Sequence, residues 1–295
     1  MKRLVLLLTL GWPGLSLAQA LPLKVADGAI WTFVATHARD VSDEPGRSYS
    51  VTTEKKLTYH QPNGGSAVLH MEHQSVTAGA GMPQDMAFTQ TLPIAVDVEV
   101  DEGFAPTGVV NVDQVREATL VMLRKTGAPV ERLQSLSPQM LDQTSMALVG
   151  RELGLLGRAQ NTKLTLGVPR DSSDEVASPL GGGLIRSNVS YSLDAYDNIT
   201  GQAAVSWRSN VDEATMRASF ALLADQAPPE KREAARADLA KLRYSNDQTC
   251  HAQIDIATGL AVRVDCLGVI AVKSEDKTKT TTDHWVITQT LPGKS

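Results

Sequence analysis

Two long stretches of the chain alternate apolar and polar residues with a period of two. Trp31, Phe33 and Ala35 alternate with Thr32 and Thr36, and Tyr49, Val51, Thr53, Lys55 and Leu57 share one face of a second run. That period marks strands with one buried side. Pro62-Asn63-Gly64-Gly65 turns the second strand into a third, Ala67 to about Val76, because Asn and Gly accept positive φ with little strain. Thr77 to Gln84 reads as loop. Phe88 to Val100 reads as further strand, confined to an edge or bulge by Pro93, and Asp101-Glu102-Gly103 as the turn after it.

Helical spacing appears between these blocks. Asn111, with Gln114 three residues on, is an N-cap for a helix carrying Val112, Val115, Thr119 and Met122 and ending at Gly127 and Pro129. Ser137-Pro138 opens a second helix, with Leu141, Ser145, Leu148 and Glu152 on one face; Gly150, Gly154 and Gly157 blur its end. Strand pattern resumes at Lys163. Gly167 to Gly183 is the longest expected loop and the best internal boundary. Ile185 to Leu193 and Ala203 to Trp207 form a hairpin around Asp197-Asn198 and Gly201. Asn210 with Glu213 caps a third helix carrying Met216, Phe220 and Leu223. Pro228-Pro229 opens a fourth, with Ala235, Leu239 and Leu242, and Thr249 to Leu291 is strand again. Strands in runs and helices in separate blocks predict an α+β fold. Its curved antiparallel sheet or sheets form at most an incomplete barrel, with about four helices segregated to one side. Asn111-Val112-Asp113-Gln114 and Asn210-Val211-Asp212-Glu213 each follow a strand and open a helix. That suggests two halves meeting near 167–183 within one domain over 21–295.

The sharpest local pattern surrounds the two cysteines. Cys250, Ala252, Ile254 and Ile256, then Leu260, Val262, Val264 and Cys266 make one wholly apolar face. The opposite face carries His251, Gln253, Asp255, Ala261, Arg263 and Asp265. A three-residue loop, Ala257-Thr258-Gly259, with Gly259 left-handed, pairs Ile256 with Leu260, Ile254 with Val262, Ala252 with Val264 and Cys250 with Cys266. Directly opposed residues lie within disulfide range, so a structural Cys250–Cys266 bridge is expected, at a hydrogen-bonded pair of the ladder.

The N-terminus changes where the protein is expected to work. Lys2 and Arg3 precede an apolar run from Leu4 to Leu10, and Ala18-Gln19-Ala20 is a small-x-small cleavage site. This is the layout of a signal peptide over 1–20, cleaved after about Ala20. It points to a periplasmic or secreted protein in an oxidising compartment, where a disulfide persists. No later stretch reaches membrane-spanning length. Cleavage leaves 26 basic against 33 acidic residues, a net charge of −7. Without a basic footprint, no nucleic-acid partner is expected.

Recognisable catalytic motifs do not appear. There is no G-x-S-x-G, no G-x-x-x-x-G-K-[ST] and no H-E-x-x-H. Ser274-Glu275-Asp276-Lys277 has S-x-x-K spacing, but in a charged stretch with no helix to aim the lysine. His70-Met71-Glu72-His73 is metal-like, yet strand alternation sends His70 and Glu72 one way and His73 the other. Asp97/Glu99 and Asp101/Glu102 read as a charged edge, and Asn188 and Asn198 lie in N-glycosylation sequons. No catalytic, metal or cofactor site is therefore assigned. Trp31, Phe33, Trp207 and Trp285 fall in expected strands and are the candidates for a shared apolar pocket, with ordinary core packing as the competing reading.

Ile254-Asp255-Ile256-Ala257-Thr258-Gly259-Leu260, between alternating strands, resembles a hairpin of exported bacterial β-rich proteins. It occurs in uncharacterised periplasmic families and in periplasmic lipoprotein carriers. The likeness covers roughly 40 residues plus the order of elements. It implies a half-barrel closed by helices around an apolar cavity. This chain is longer, and its second helix pair has no counterpart in the carriers. The expected function is a non-catalytic exported protein that binds a lipid or other apolar ligand, or an envelope protein, in a sheet-lined concavity. The alternatives are a hydrolase whose site assembles only in three dimensions and a purely structural envelope protein.

Overall fold

The computed structural model describes residues 18–42, 44–61, 66–82, 94–125, 150–160, 163–177, 184–225, 227–274 and 277–292. In chain order the strands of the first half are β1 (Ala18–Ala20), β2 (Ile30–Val41), β3 (Tyr49–His60), β4 (Ala67–Ala78), β5 (Val96–Val100) and β6 (Pro106–Val109). Helix α1 (Val112–Lys125) and a helical stretch α2 over 150–159 come next. They are followed by β7 (Lys163–Thr165), β8 (Arg170–Ala177), β9 (Leu184–Asp197) and β10 (Gln202–Val211). Helices α3 (Glu213–Asp225) and α4 (Arg232–Lys241) then lead into β11 (Arg243–Asp255), β12 (Ala261–Lys273) and β13 (Thr278–Gln289).

Eleven strands form one antiparallel sheet in the order β6-β5-β4-β3-β2-β13-β12-β11-β10-β9-β8. Within this sheet, strands adjacent in sequence pair with each other, β10 and β11 across the inserted α3 and α4, and β2 pairs with β13 from the far end of the chain. Among the described residues the end strands β6 and β8 pair with neighbours on one side only, so the sheet stays open: an incomplete barrel in an α+β fold. Its apolar residues lie on one face because alternation along each strand sends them there. Trp31, Phe33, Leu57, Leu69, Val98, Val205, Trp207, Ile254, Val264 and Ile287 are all buried in one cluster. Helices α1 and α2 add Val115, Met122, Leu153 and Leu156 to it. A satellite cluster of Ile185, Met216 and Phe220, with Leu239 and Leu242 beside it, seats α3 and α4 further along that face.

The cysteine hairpin forms with the expected pairing of Cys250 with Cys266 and Ala252 with Val264. The sulfurs are at bonding distance, and the Cα atoms are 4.1 Å apart, the narrow spacing of a non-hydrogen-bonded pair rather than the wider site anticipated. Nearer the turn the register departs from the simple pattern. Ile254 pairs with Ala261, and Val262 is the extra residue of a β-bulge. Ala261, the one apolar residue of the expected polar face, is thereby carried into the core. The loop is longer than three residues, with the Asp255 amide donating to the Leu260 carbonyl at 2.9 Å. Gly259 does adopt φ +72°, and a Cβ there would meet the Pro22 carbonyl oxygen at 2.3 Å.

Other expectations need correction. The 167–183 stretch is not a plain loop, because Arg170–Ala177 forms the edge strand β8 against β9. Its described side chains are polar and exposed, so it has the backbone bonds of a strand without an apolar face to announce it. Helix α3 is capped by Asp212 rather than Asn210; the Thr215 amide donates to its carboxylate at 2.8 Å. Asn111 braces β5 instead of capping, accepting from the Asp97 amide and donating to the Ala95 carbonyl. Helix α2 runs on through Gly150, Gly154 and Gly157. Residues 1–17, the Pro62–Gly65 turn, Phe88 to Pro93 and the Ser137-Pro138 helix start lie outside the described residues. Of the expected signal peptide, Ala18–Ala20 is described and pairs with β7.

Candidate binding cleft

Strand register decides what the covered face of the sheet presents between its two apolar clusters. One row of directly opposed residues runs Trp207, Cys250, Cys266, Trp285, His37, Val51 across six strands. The next row on that face, two residues along each strand, runs Ser209, Gln248, Gly268, Asp283, Arg39, Tyr49. The first row closes the main core. The second carries small and polar side chains, with Tyr49 at its end.

A cleft of about 360 Å³ opens over this second row. Its floor includes Ser187, Ser209, Gln248, Gly268 and Asp283, and apolar Ile185, Val211 and Ile270 flank it. The other wall is α2, which contributes Arg151, Gly154, Leu155 and Arg158. Positions 151, 154, 155 and 158 fall on one stripe because 3.6 residues complete a turn. Gly268 matters to the shape: a Cβ there would find its nearest neighbour, the Asp283 carbonyl oxygen, at 3.7 Å. Space, not backbone strain, is what this glycine provides.

Electrostatics along the floor are already balanced. Asp283 accepts from His37 Nε2 at 2.7 Å and takes a two-pronged contact from Arg39 at 2.8 and 2.9 Å. Burial alone would push the Asp283 carboxyl up, but the hydrogen bonds from His37 and Arg39 outweigh it and hold the pKa well below the usual carboxylate range. His37 stacks on Trp285 with ring centroids 3.9 Å apart, and Arg151 sits over that indole at 5.4 Å. Arg151 and Arg158 make no ion pair with a described residue.

Helix α2 is held in place by a buried charge pair. Lys55 Nζ donates to Glu152 at short range, both side chains under a tenth exposed. Thr53 Oγ1 donates to the other oxygen of Glu152 at 3.2 Å, and Lys55 also lies over the Phe33 ring. The neighbouring His73 is shifted down by burial and by the Lys55 charge. Gln160, just past the helix, donates to the Gly103 carbonyl and accepts from the Ala261 amide. Lys55 and Glu152 were visible in the sequence as polar residues on otherwise apolar faces, though nothing there showed that they meet.

The four aromatic candidates reach the same covered face, where three of them pack into the main core and one lines the cleft. Trp31, Phe33 and Trp207 are packed into the main core. Trp31 stacks on Phe104 and donates Nε1 to Gln289 at 2.8 Å, while Trp207 Nε1 has no partner among the described residues. Trp285 alone lines the cleft. On the outer face His70 bonds Asp97 at 2.6 Å and Glu72 bonds Lys56. Ser274 closes a turn onto the Lys277 carbonyl, and Asn188 and Asn198 are exposed. The residues that matter most to the cleft, Arg151, Arg158, Gly268 and Asp283, carried no motif. The i, i+7 spacing of the two arginines was the only local signal.

No family model and no curated protein matches the chain. Among solved structures, a crystal structure of Pseudomonas aeruginosa OccK5 (OpdH) aligns over 89% of this chain and 98% of that one. Identity is 8% and the TM-score 0.24, too slight a likeness to bear on fold or function. No helix among the described residues is long and apolar enough to cross a membrane.

Proposed function

We propose that this chain is an exported, non-catalytic binding protein, cleaved after about Ala20 and working in the periplasm or outside the cell. It takes a ligand with an apolar body into the cleft between α2 and the sheet. The observation that carries this reading is the small and polar row Ser209, Gln248, Gly268, Asp283 between two apolar clusters, with about 360 Å³ of space above it. That volume sits at the small end of ligand pockets and suits a compact molecule rather than a long acyl chain. The bridged cysteines and the N-terminal charged-then-apolar run support export.

A hydrolase reading draws less support from the side chains. His37, His70 and His284 each direct a ring nitrogen at a carboxylate, of Asp283, Asp97 and Asp265 respectively. A triad also pairs a histidine with a carboxylate, but it needs a nucleophile on the other ring nitrogen. Among the described residues no serine, threonine or cysteine side chain is hydrogen-bonded to any of these three imidazoles. Native mass spectrometry of protein purified from its own envelope tests the proposal. Wild type should carry a bound small molecule, and Gly268→Leu, which fills the cleft, should carry none. Protein that emerges empty and takes up no N-phenyl-1-naphthylamine, an uncharged apolar probe, sinks the reading.

A further inference from the structure

We infer that the ligand of this cleft bears an anionic group, a carboxylate, sulfonate or phosphate, which docks between Arg151 and Arg158 over Gly154. The inference rests on the binding reading above and adds the chemistry of the ligand. Arg151 and Arg158 are seven residues apart on one helix stripe, about 10 Å along the axis, a span that two extended arginine side chains can close on a single anion. Between them lies Gly154, where a Cβ would meet no heavy atom within 4 Å. The stripe therefore has a guanidinium at each end and a gap in the middle.

Charge accounting on the rest of the cleft points the same way. Asp283 is its one acidic lining residue among the described residues, and that carboxylate is committed to His37 and Arg39. Arg158 is felt by Tyr191, beside which Arg170 and Asp174 also stand, so one acidic and one basic side chain near that end offset each other. The cleft thus keeps two positive charges in a chain whose formal net charge is −5. A positive concavity in an acidic protein raises the local concentration of anions there. Guanidinium pairs favour carboxylate and phosphate oxygens because the fork matches their geometry. Leu155, Ile185, Val211 and Ile270 are left to contact an apolar body attached to the anion.

Two fluorescent probes share one aromatic body and differ in a sulfonate: 8-anilinonaphthalene-1-sulfonate and uncharged N-phenyl-1-naphthylamine. Full-length mature protein should bind the sulfonate at least roughly tenfold more tightly, and added salt should erode only that preference. Arg151→Gln with Arg158→Gln should bring the two affinities together by weakening the sulfonate. Gly154→Asp keeps both arginines, places a carboxylate in the gap between them and should weaken the sulfonate more than the uncharged probe. This second variant keeps the test valid if the double variant folds poorly. Decanoate and decyl phosphate, competing against the bound sulfonate, separate a carboxylate from a phosphate ligand, and either should outcompete decanol. Equal affinity for the two probes in wild type overturns the inference and leaves the binding reading standing. So does a sulfonate preference that survives in both variants, or competition no better than decanol's, whereas a preference that survives in Gly268→Leu puts the sulfonate outside this cleft and overturns the two together. Failure of both probes to bind overturns the two together.

Discussion

The two helical covers on the sheet are attached in different ways. Helix α2 buries Leu153, Leu155, Leu156 and Ala159, and ties Glu152 to Lys55 beneath it. Its Gly157 packs so closely on Ala105 that a Cβ would lie 2.7 Å from backbone atoms. The α3–α4 pair is lighter: α3 buries Met216, Ser219, Phe220 and Ala224, and α4 buries nothing fully. Leu222 of α3 is more than half exposed. The contrast explains why the cleft's arginines sit on α2. A binding group must be held in a fixed position, and α2 is fixed by packing, by a charge pair and by close backbone contact at once.

Breaking the charge pair should produce the largest effect. Glu152→Ala strands the Lys55 ammonium in the core and should cost about 3–5 kcal/mol in urea unfolding. Replacing both residues by apolar ones of similar volume should restore most of that, because no buried charge remains. An intermediate effect separates two glycines on one helix. Gly157→Ala should destabilise by about 1–3 kcal/mol, since its Cβ has nowhere to go. Gly154→Ala should be neutral or stabilising by up to about 1 kcal/mol, since helix propensity improves and the position is open. Equal behaviour of the two would refute the close contact with Ala105.

The smallest effect appears with acid. Asp283 has a depressed pKa in the folded state, so its contribution is complete above the unfolded carboxyl value of about 3.9 and is lost as pH falls below it. Asp283→Asn should therefore flatten the stability curve on the acid side of pH 4. Phe220→Ala, in the satellite cluster with no ion pair among its members, should lower stability without changing that slope. Urea midpoints measured from pH 2 to 6 would check this, and an unchanged acid slope in Asp283→Asn would count against the pairing with His37 and Arg39.

Much of the fold was legible from alternation. The strand faces of β2, β3, β11 and β12 emerged as expected because period-two burial is written directly in residue order. The cysteine bridge was legible for the same reason, with a sequence separation of only 16 and a turn glycine between. Val262 and Ala261 were misassigned because a bulge breaks the period without leaving a residue-type signal. β8 was missed because an exposed edge strand has no buried face to pattern. Trp31, Phe33 and Trp207 went to the core and Trp285 to the cleft for a packing reason: large apolar side chains fill a core before they line a cavity.

Residue order alone determined which side chains share a strand face, where hairpins turn and that the cysteines oppose each other. These are local matters, set by backbone sterics and the two-residue repeat. Only the tertiary structure decided the β2–β13 pairing, which brings His37 to Asp283 across 246 residues, and the contact of Lys55 with Glu152 across 97. Likewise, Ser209, Gln248, Gly268 and Asp283 become one row only when four strands settle in register. Register over such separations depends on the summed burial of whole faces and on bulges that shift it, and no short window of sequence contains that sum.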